Sequence, residues 1–156
     1  MKFRLGRWEL DIDPLRTAAC FARYPKDAAC TCAGCRNFRA LGEHAFPVEF
    51  RAVATELGID VTKPAELGHY DEGGARRSLD GWFHLVGNIV GGRDAWRQVG
   101  AMAWTADTEP LLGLTGLGFT DRIALLPEAF EDQSVVQLEF QTKVPWVLED
   151  GGGGTP

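Results

Sequence analysis

The stretch Leu79-Asp80-Gly81-Trp82-Phe83-His84-Leu85-Val86-Gly87-Asn88-Ile89-Val90 decides how the rest of this 156-residue chain is read. Trp82, His84 and Val86 fall on one phase of a two-residue repeat, and Phe83, Leu85 and Ile89 fall on the other. The period is that of extended chain, and large side chains on both phases predict a strand buried on both faces. Gly91-Gly92 ends it.

Working outward, residues 135–148 alternate cleanly, with Val136, Leu138, Phe140, Val144, Trp146 and Leu148. Pro145 lacks an N–H to donate and marks an edge or the end of pairing. Val99–Thr105 and Ile123–Leu126 are expected as short strands. Leu111–Phe119 carries three glycines, which predicts strand and loop rather than helix. Residues 2–13 alternate in two phases, slipping at Gly6-Arg7, as at a bulge or a tight hairpin. Pro14 is expected to stop that strand, and residues 14–31 read as irregular.

Helical spacing begins near Cys32, with Thr31 as N-cap and Cys35, Phe38, Leu41 and Ala45 on one face. Phe46, Phe50, Val53 and Leu57 continue at helical intervals, and Gly58 follows where a left-handed residue ends a helix. The expected fold class is α+β: a mostly antiparallel sheet with one helical hairpin or bent helix packed on it. Residues 1–150 are expected to form a single domain and 151–156 a flexible C-terminal tail.

Composition bounds the function. Hydrophobic residues make up 45%, with nine Phe and five Trp, enough for a core built from large side chains. The net charge is −6, and the twelve Arg and four Lys form no basic tract, which argues against nucleic acid. The N-terminus has no apolar signal-peptide core, and no run approaches the roughly 20 apolar residues of a membrane span. A cytoplasmic location is expected, with the four cysteines reduced.

Few groups read as catalytic. Ser78 and Ser134 lie in no nucleophile-elbow context, and the glycines from Gly113 to Gly118 match no phosphate loop. Asp11 and Asp13 read as the wet side of a strand, and His84 as a core histidine. The chain is therefore expected not to be an enzyme.

One local feature stands out: Cys30-Thr31-Cys32-Ala33-Gly34-Cys35. Closely spaced thiolates suit zinc, which takes four ligands in structural sites. His44 is about 13 Å further along an unbroken helix, too far to share a metal. Cys20, on the stretch read as irregular, is the preferred fourth ligand, and His69 and His84 could join only by tertiary contact. The same run can be read as a thiol oxidoreductase site with Cys32 at a helix start, although no buried strand precedes it. Its default reading is packing, with Cys32 and Cys35 as small apolar groups on one helix face.

The run Cys30-Thr31-Cys32-Ala33-Gly34-Cys35-Arg36-Asn37-Phe38, followed by Leu57-Gly58-Ile59-Asp60, Lys63-Pro64-Ala65-Glu66 and Pro145-Trp146, resembles a family of small bacterial proteins. That family carries a C-x-C-x-x-C-x-N-[FY] segment and a strand ending in Pro-Trp. The resemblance implies a bacterial single-domain protein in which the cysteines and the Pro-Trp end belong to one design. It carries over no catalytic residue. The leading functional expectation is a non-catalytic binding protein of immunity or accessory type, with no resident cofactor and a partner that presents a basic surface. The alternatives are a zinc-binding protein using Cys30, Cys32, Cys35 and Cys20, and a thiol oxidoreductase.

Overall fold

In the computed structural model, residues 1–25 and 30–149 are described. The stretch 79–90 lies within β4, which runs from Arg76 to Gly91 and organises the sheet. Along one edge it pairs antiparallel with β8 (Val135–Pro145), from Arg76↔Pro145 to Val86↔Val135. Its other edge is shared. β3 (Glu66–Tyr70) pairs with Ser78–Trp82, and β2 (Trp8–Ile12) pairs with Gly87–Gly91. β1 (Lys2–Leu5) folds onto β2 through the turn at Gly6-Arg7, so the phase slip is a hairpin. β7 (Gly116–Thr120) closes the far side against β8. β5 (Trp96–Gln98) and β6 (Trp104–Ala106) form a separate two-stranded hairpin.

Successive residues of a strand face opposite ways, and directly paired residues face the same way. Leu79, Phe83 and Leu85 of β4 therefore share a face with Thr142, Leu138 and Val136 of β8. The helices cover this face. Phe46 and Phe50 place their ring centroids 5.8 and 6.2 Å from that of Phe83, and Phe46 lies 5.1 Å from Phe140. Phe50 and Phe83 are fully buried. Each such ring contributes about 1.5–3 kcal/mol through burial.

Three helices supply that cover: α1 (Pro14–Arg23), α2 (Ala33–Leu41) and α3 (Val48–Leu57), with a 3-10 turn at Gly42–Ala45 between the last two. α2 and α3 stand where one helical hairpin or bent helix is expected, and Gly58 ends α3 at φ 79. α1 corrects the expectation of an irregular segment. Asp13 accepts from the Arg16 N–H as N-cap, and Pro14 takes the first helical position, where its missing N–H costs nothing. The proline that ends β2 is thus also the start of a helix.

Two further expectations change. Residues 99–103 form the connection inside the β5–β6 hairpin rather than a strand, and Ile123–Leu126 lies outside any strand. β3 is a strand that the pattern does not announce, because none of its five residues is buried. The expected tail at 151–156 lies outside the described residues. No helix of the described residues is long and apolar enough to cross a membrane.

Candidate metal centre

α2 begins where the cysteine run ends. Cys32 is its N-cap, with extended backbone, and Cys32 Sγ accepts the backbone N–H of Cys35 at 3.4 Å. Thr31, the expected cap, stands one residue outside. A sulfur at a helix N-terminus sits where unpaired N–H groups and the helix dipole favour negative charge. Cys30 Sγ lies 3.3 Å from Cys32 Sγ, and the sulfurs of Cys30, Cys32 and Cys35 all lie within 4.8 Å of one another, close enough to hold a metal ion.

β3 brings a histidine to one member of the trio, Cys35, while the group whose ligand atoms all lie within 4.8 Å of one another holds the three sulfurs without His69. His69 Nε2 is 3.5 Å from Cys35 Sγ, across 34 residues of sequence. The approach depends on Gly34: a Cβ there would fall 2.5 Å from His69 Cγ, well inside contact distance. The glycine of the Cys-Ala-Gly-Cys run is therefore the floor on which the imidazole rests. Zinc bonds of about 2.3 Å to sulfur and 2.0 Å to nitrogen, at the tetrahedral angle, put neighbouring ligand atoms roughly 3.5–3.8 Å apart. The separation of His69 from Cys35 lies in that range.

Cys20, the fourth ligand expected from sequence, stands apart from the trio. It is buried on α1, and its Sγ lies 3.9 Å from the Arg23 guanidinium. Its candidacy rested on a flexible chain folding back, whereas residues 14–23 are helix. His44 sits on the 3-10 turn beyond α2. His84 is buried on the sheet and pairs with Gln137 through Nε2 at 3.2 Å.

The electrostatics of the cluster are those of thiols crowded together. Hydrogen bonds from the Cys32 backbone and side chain hold the exposed Cys30 thiol below its ordinary range. Cys35 goes the other way: burial first, and then the neighbouring Cys30 and Cys32 thiols, push it up to about 12. Sulfurs that cannot ionise together without help are what a divalent cation reverses, since a coordinated thiol loses its proton outright. His69 is lowered by burial, against the pull of Asp80. Its imidazole is held neutral, the form that binds a metal.

Two cavities flank the site. One of about 330 Å³ is lined by Cys32, Gly34, Asn37, His69, Arg77 and Trp146, and one of about 370 Å³ by Tyr24, Cys30, Cys35, Arg39, Lys63 and His69. Lys63 donates to the carbonyls of Phe21 and Tyr24 at 2.7 and 2.9 Å and closes the end of α1. On the other side, Asn37 donates to Pro145 O at 3.0 Å and accepts from the Val147 N–H at 2.8 Å. That buried amide ties the Pro145-Trp146 strand end to the helix carrying the cysteines.

Sequence spacing singled out Cys30, Cys32 and Cys35, and the fold assembles them. It offered no comparable sign for His69, whose only local signal is a glycine in the first turn of the facing helix. Compared with protein-family models, with curated proteins and with solved structures, the chain matches none of them.

Proposed function

We propose that this protein holds one zinc ion through Cys30, Cys32, Cys35 and His69, and that the metal serves its architecture. The observation that carries the reading is the meeting of His69 Nε2 with Cys35 Sγ at 3.5 Å, beside three sulfurs already gathered at the start of α2. Three thiolates and an imidazole are a preferred zinc set, and four protein ligands leave no open position for a substrate. The reading is thus of a structural metal in a non-catalytic protein. Its cysteine segment and Pro-Trp end, both parts of the resemblance to the bacterial family, would act as one unit joined by Asn37.

The imidazole beside Cys35 favours zinc over the oxidoreductase reading, which needs two thiols and no such ligand. Elemental analysis of untagged protein tests the proposal. The expected result is close to one zinc per chain, falling below ~0.2 in Cys35→Ser, since tight structural sites bind with large free energies. Less than ~0.2 zinc in the wild-type protein after gentle purification rejects it. Rapid alkylation of Cys32 near neutral pH in zinc-free protein would restore the redox reading.

A further inference from the structure

The sheet face turned away from the helices is built quite differently from the covered one. On β4 and β8 the pairs Asp80↔Gln141, Trp82↔Glu139 and His84↔Gln137 point to this side. The β5–β6 hairpin leans over it through the Trp96 indole N–H, which donates to Glu139 Oε1 at 2.9 Å. Beneath that hairpin runs a groove. A cavity of about 380 Å³ lined by Glu66, Tyr70, Asp80, Trp82, Trp96 and Glu139 is continued by one of about 620 Å³ that shares Trp82, Trp96 and Glu139 and reaches Trp104 and Arg122.

Two properties of the groove belong together. Its walls are aromatic and fixed: Trp82 is anchored by its N–H on Ala124 O at 3.1 Å, and Trp96 by Glu139. Its charge is negative: neither Asp80 nor Glu139 forms an ion pair among the described residues, and Asp80 is eased only by hydrogen bonds with the Gly68 backbone and the Tyr70 side chain and by the attraction of His69. Both internal donors to Glu139, from Trp96 and from Gln137 at 2.6 Å, go to Oε1, and among the described residues no donor goes to Oε2. Burial raises Glu139, and the Asp80 and Asp94 carboxylates raise it further. The cation lining the groove, Arg122, lies at its far end, stacked 3.6 Å above the Trp104 ring.

We propose that this groove docks an arginine side chain carried on a basic partner protein. The occupant follows from complementarity. A guanidinium is planar, stacks on indole faces and presents a fork to a carboxylate, whereas an ammonium does neither as well. Arg122 on Trp104 already displays the stacking half of that contact within the molecule. A net charge of −6 favours approach by a basic surface and disfavours nucleic acid. The inference goes beyond the zinc reading and does not rest on it, since none of the proposed zinc ligands lines the groove.

The test uses the full chain, titrated with acetyl-Gly-Arg-Gly-Arg-Gly-amide while the indole N–H resonances of Trp82 and Trp96 are followed by NMR. Saturable shifts of both are expected in the low-millimolar range or tighter. The citrulline counterpart, which keeps the shape without the charge, should bind at least about tenfold more weakly. Glu139→Gln retains an acceptor for Trp96 and Gln137 and is expected to keep the fold while weakening the arginine peptide by a similar factor. Asp80→Asn, on the same wall, gives a second reading. The proposal is overturned by equal binding of the arginine and citrulline peptides. No shift at low-millimolar peptide also overturns it, as does full binding to both carboxamide variants. Tetramethylammonium binding as tightly as the peptide would overturn the guanidinium assignment. Zinc content measured on the same samples keeps failure of the metal reading separate from failure of this one.

Discussion

The sheet under α3 and the junction of α2 with β3 sit in one small molecule, yet they are held by different means. Under α3, Phe46, Phe50, Phe83 and Phe140 pack ring on ring and are nearly or fully buried. At the junction, no residue of β3 is fully buried, its Leu67 and His69 being half-buried, and α2 buries Cys35, Asn37 and Phe38. What joins the two elements there is a sulfur facing an imidazole across a glycine. The first region gains its stability from removing apolar surface from water, which needs no ligand. The second buries less of it, and under the proposal above a shared zinc ion would fasten it. The contrast teaches that one chain can fold by burial in one place and leave an edge where coordination chemistry would do the fastening.

The largest effect should come from breaking the first region. Phe83→Ala removes a fully buried ring and is expected to cost about 3–5 kcal/mol, read as a drop in the denaturation midpoint. The folded fraction of that variant should keep its zinc. If Phe83→Ala lost the metal while staying folded, the two regions would not be separable as described.

Removing the metal is the matching test of the second region. Chelation, or Cys35→Ser, should raise amide exchange in β3 and in the first turn of α2, while the amides of β4 and β8 under α3 keep their protection. Uniform loss of protection would show that the metal holds the whole domain. Zinc binding should also release protons, because Cys35 is protonated at neutral pH in the free cluster and His69 is already neutral. Affinity should therefore rise with pH across the neutral range, and calorimetry in two buffers of different ionisation heat would count the protons.

How far these regions could be read in advance follows from the same difference. β4, β8 and α3 repeat large apolar residues at the period of their own structure, so burial writes them into the sequence. α1 was hidden because Pro14 serves two roles, ending one element and opening the next, and Asp13 looked like strand surface rather than a cap. β3 was hidden because it has no buried face. In the site, three sulfurs within six residues are a local signal, whereas His69 arrives by tertiary contact and no spacing rule can find it. Cys20 was chosen in its place on the supposition of a flexible chain, which the helix removes.

A finer probe of the junction is Gly34→Ala. The added methyl would meet the His69 ring at 2.5 Å, so the imidazole must move. Zinc affinity should fall on the order of 10–100-fold, as when the support of a ligand is disturbed, with little change under α3. Unchanged affinity would mean that His69 is not a ligand.

A separate test, confined to acid pH, sits on the far side of β4. Burial lowers His84 from 6.5 to about 4, and among the described residues its Nδ1 has no hydrogen-bond partner. Between those values the unfolded chain binds a proton that the folded one refuses. Stability is fully present above about pH 6.5 and falls as the pH drops towards 4. In zinc-free protein, His84→Gln should flatten this part of the stability profile. An unchanged slope would assign the acid sensitivity to other groups.

X-ray absorption at the zinc edge of the loaded protein tests the central claim most directly. Three sulfurs at about 2.3 Å and one nitrogen at about 2.0 Å are expected, the shell of Cys30, Cys32, Cys35 and His69. A shell of four sulfurs would return Cys20 to the site and contradict the assignment of His69, and a shell without sulfur would contradict the metal centre altogether.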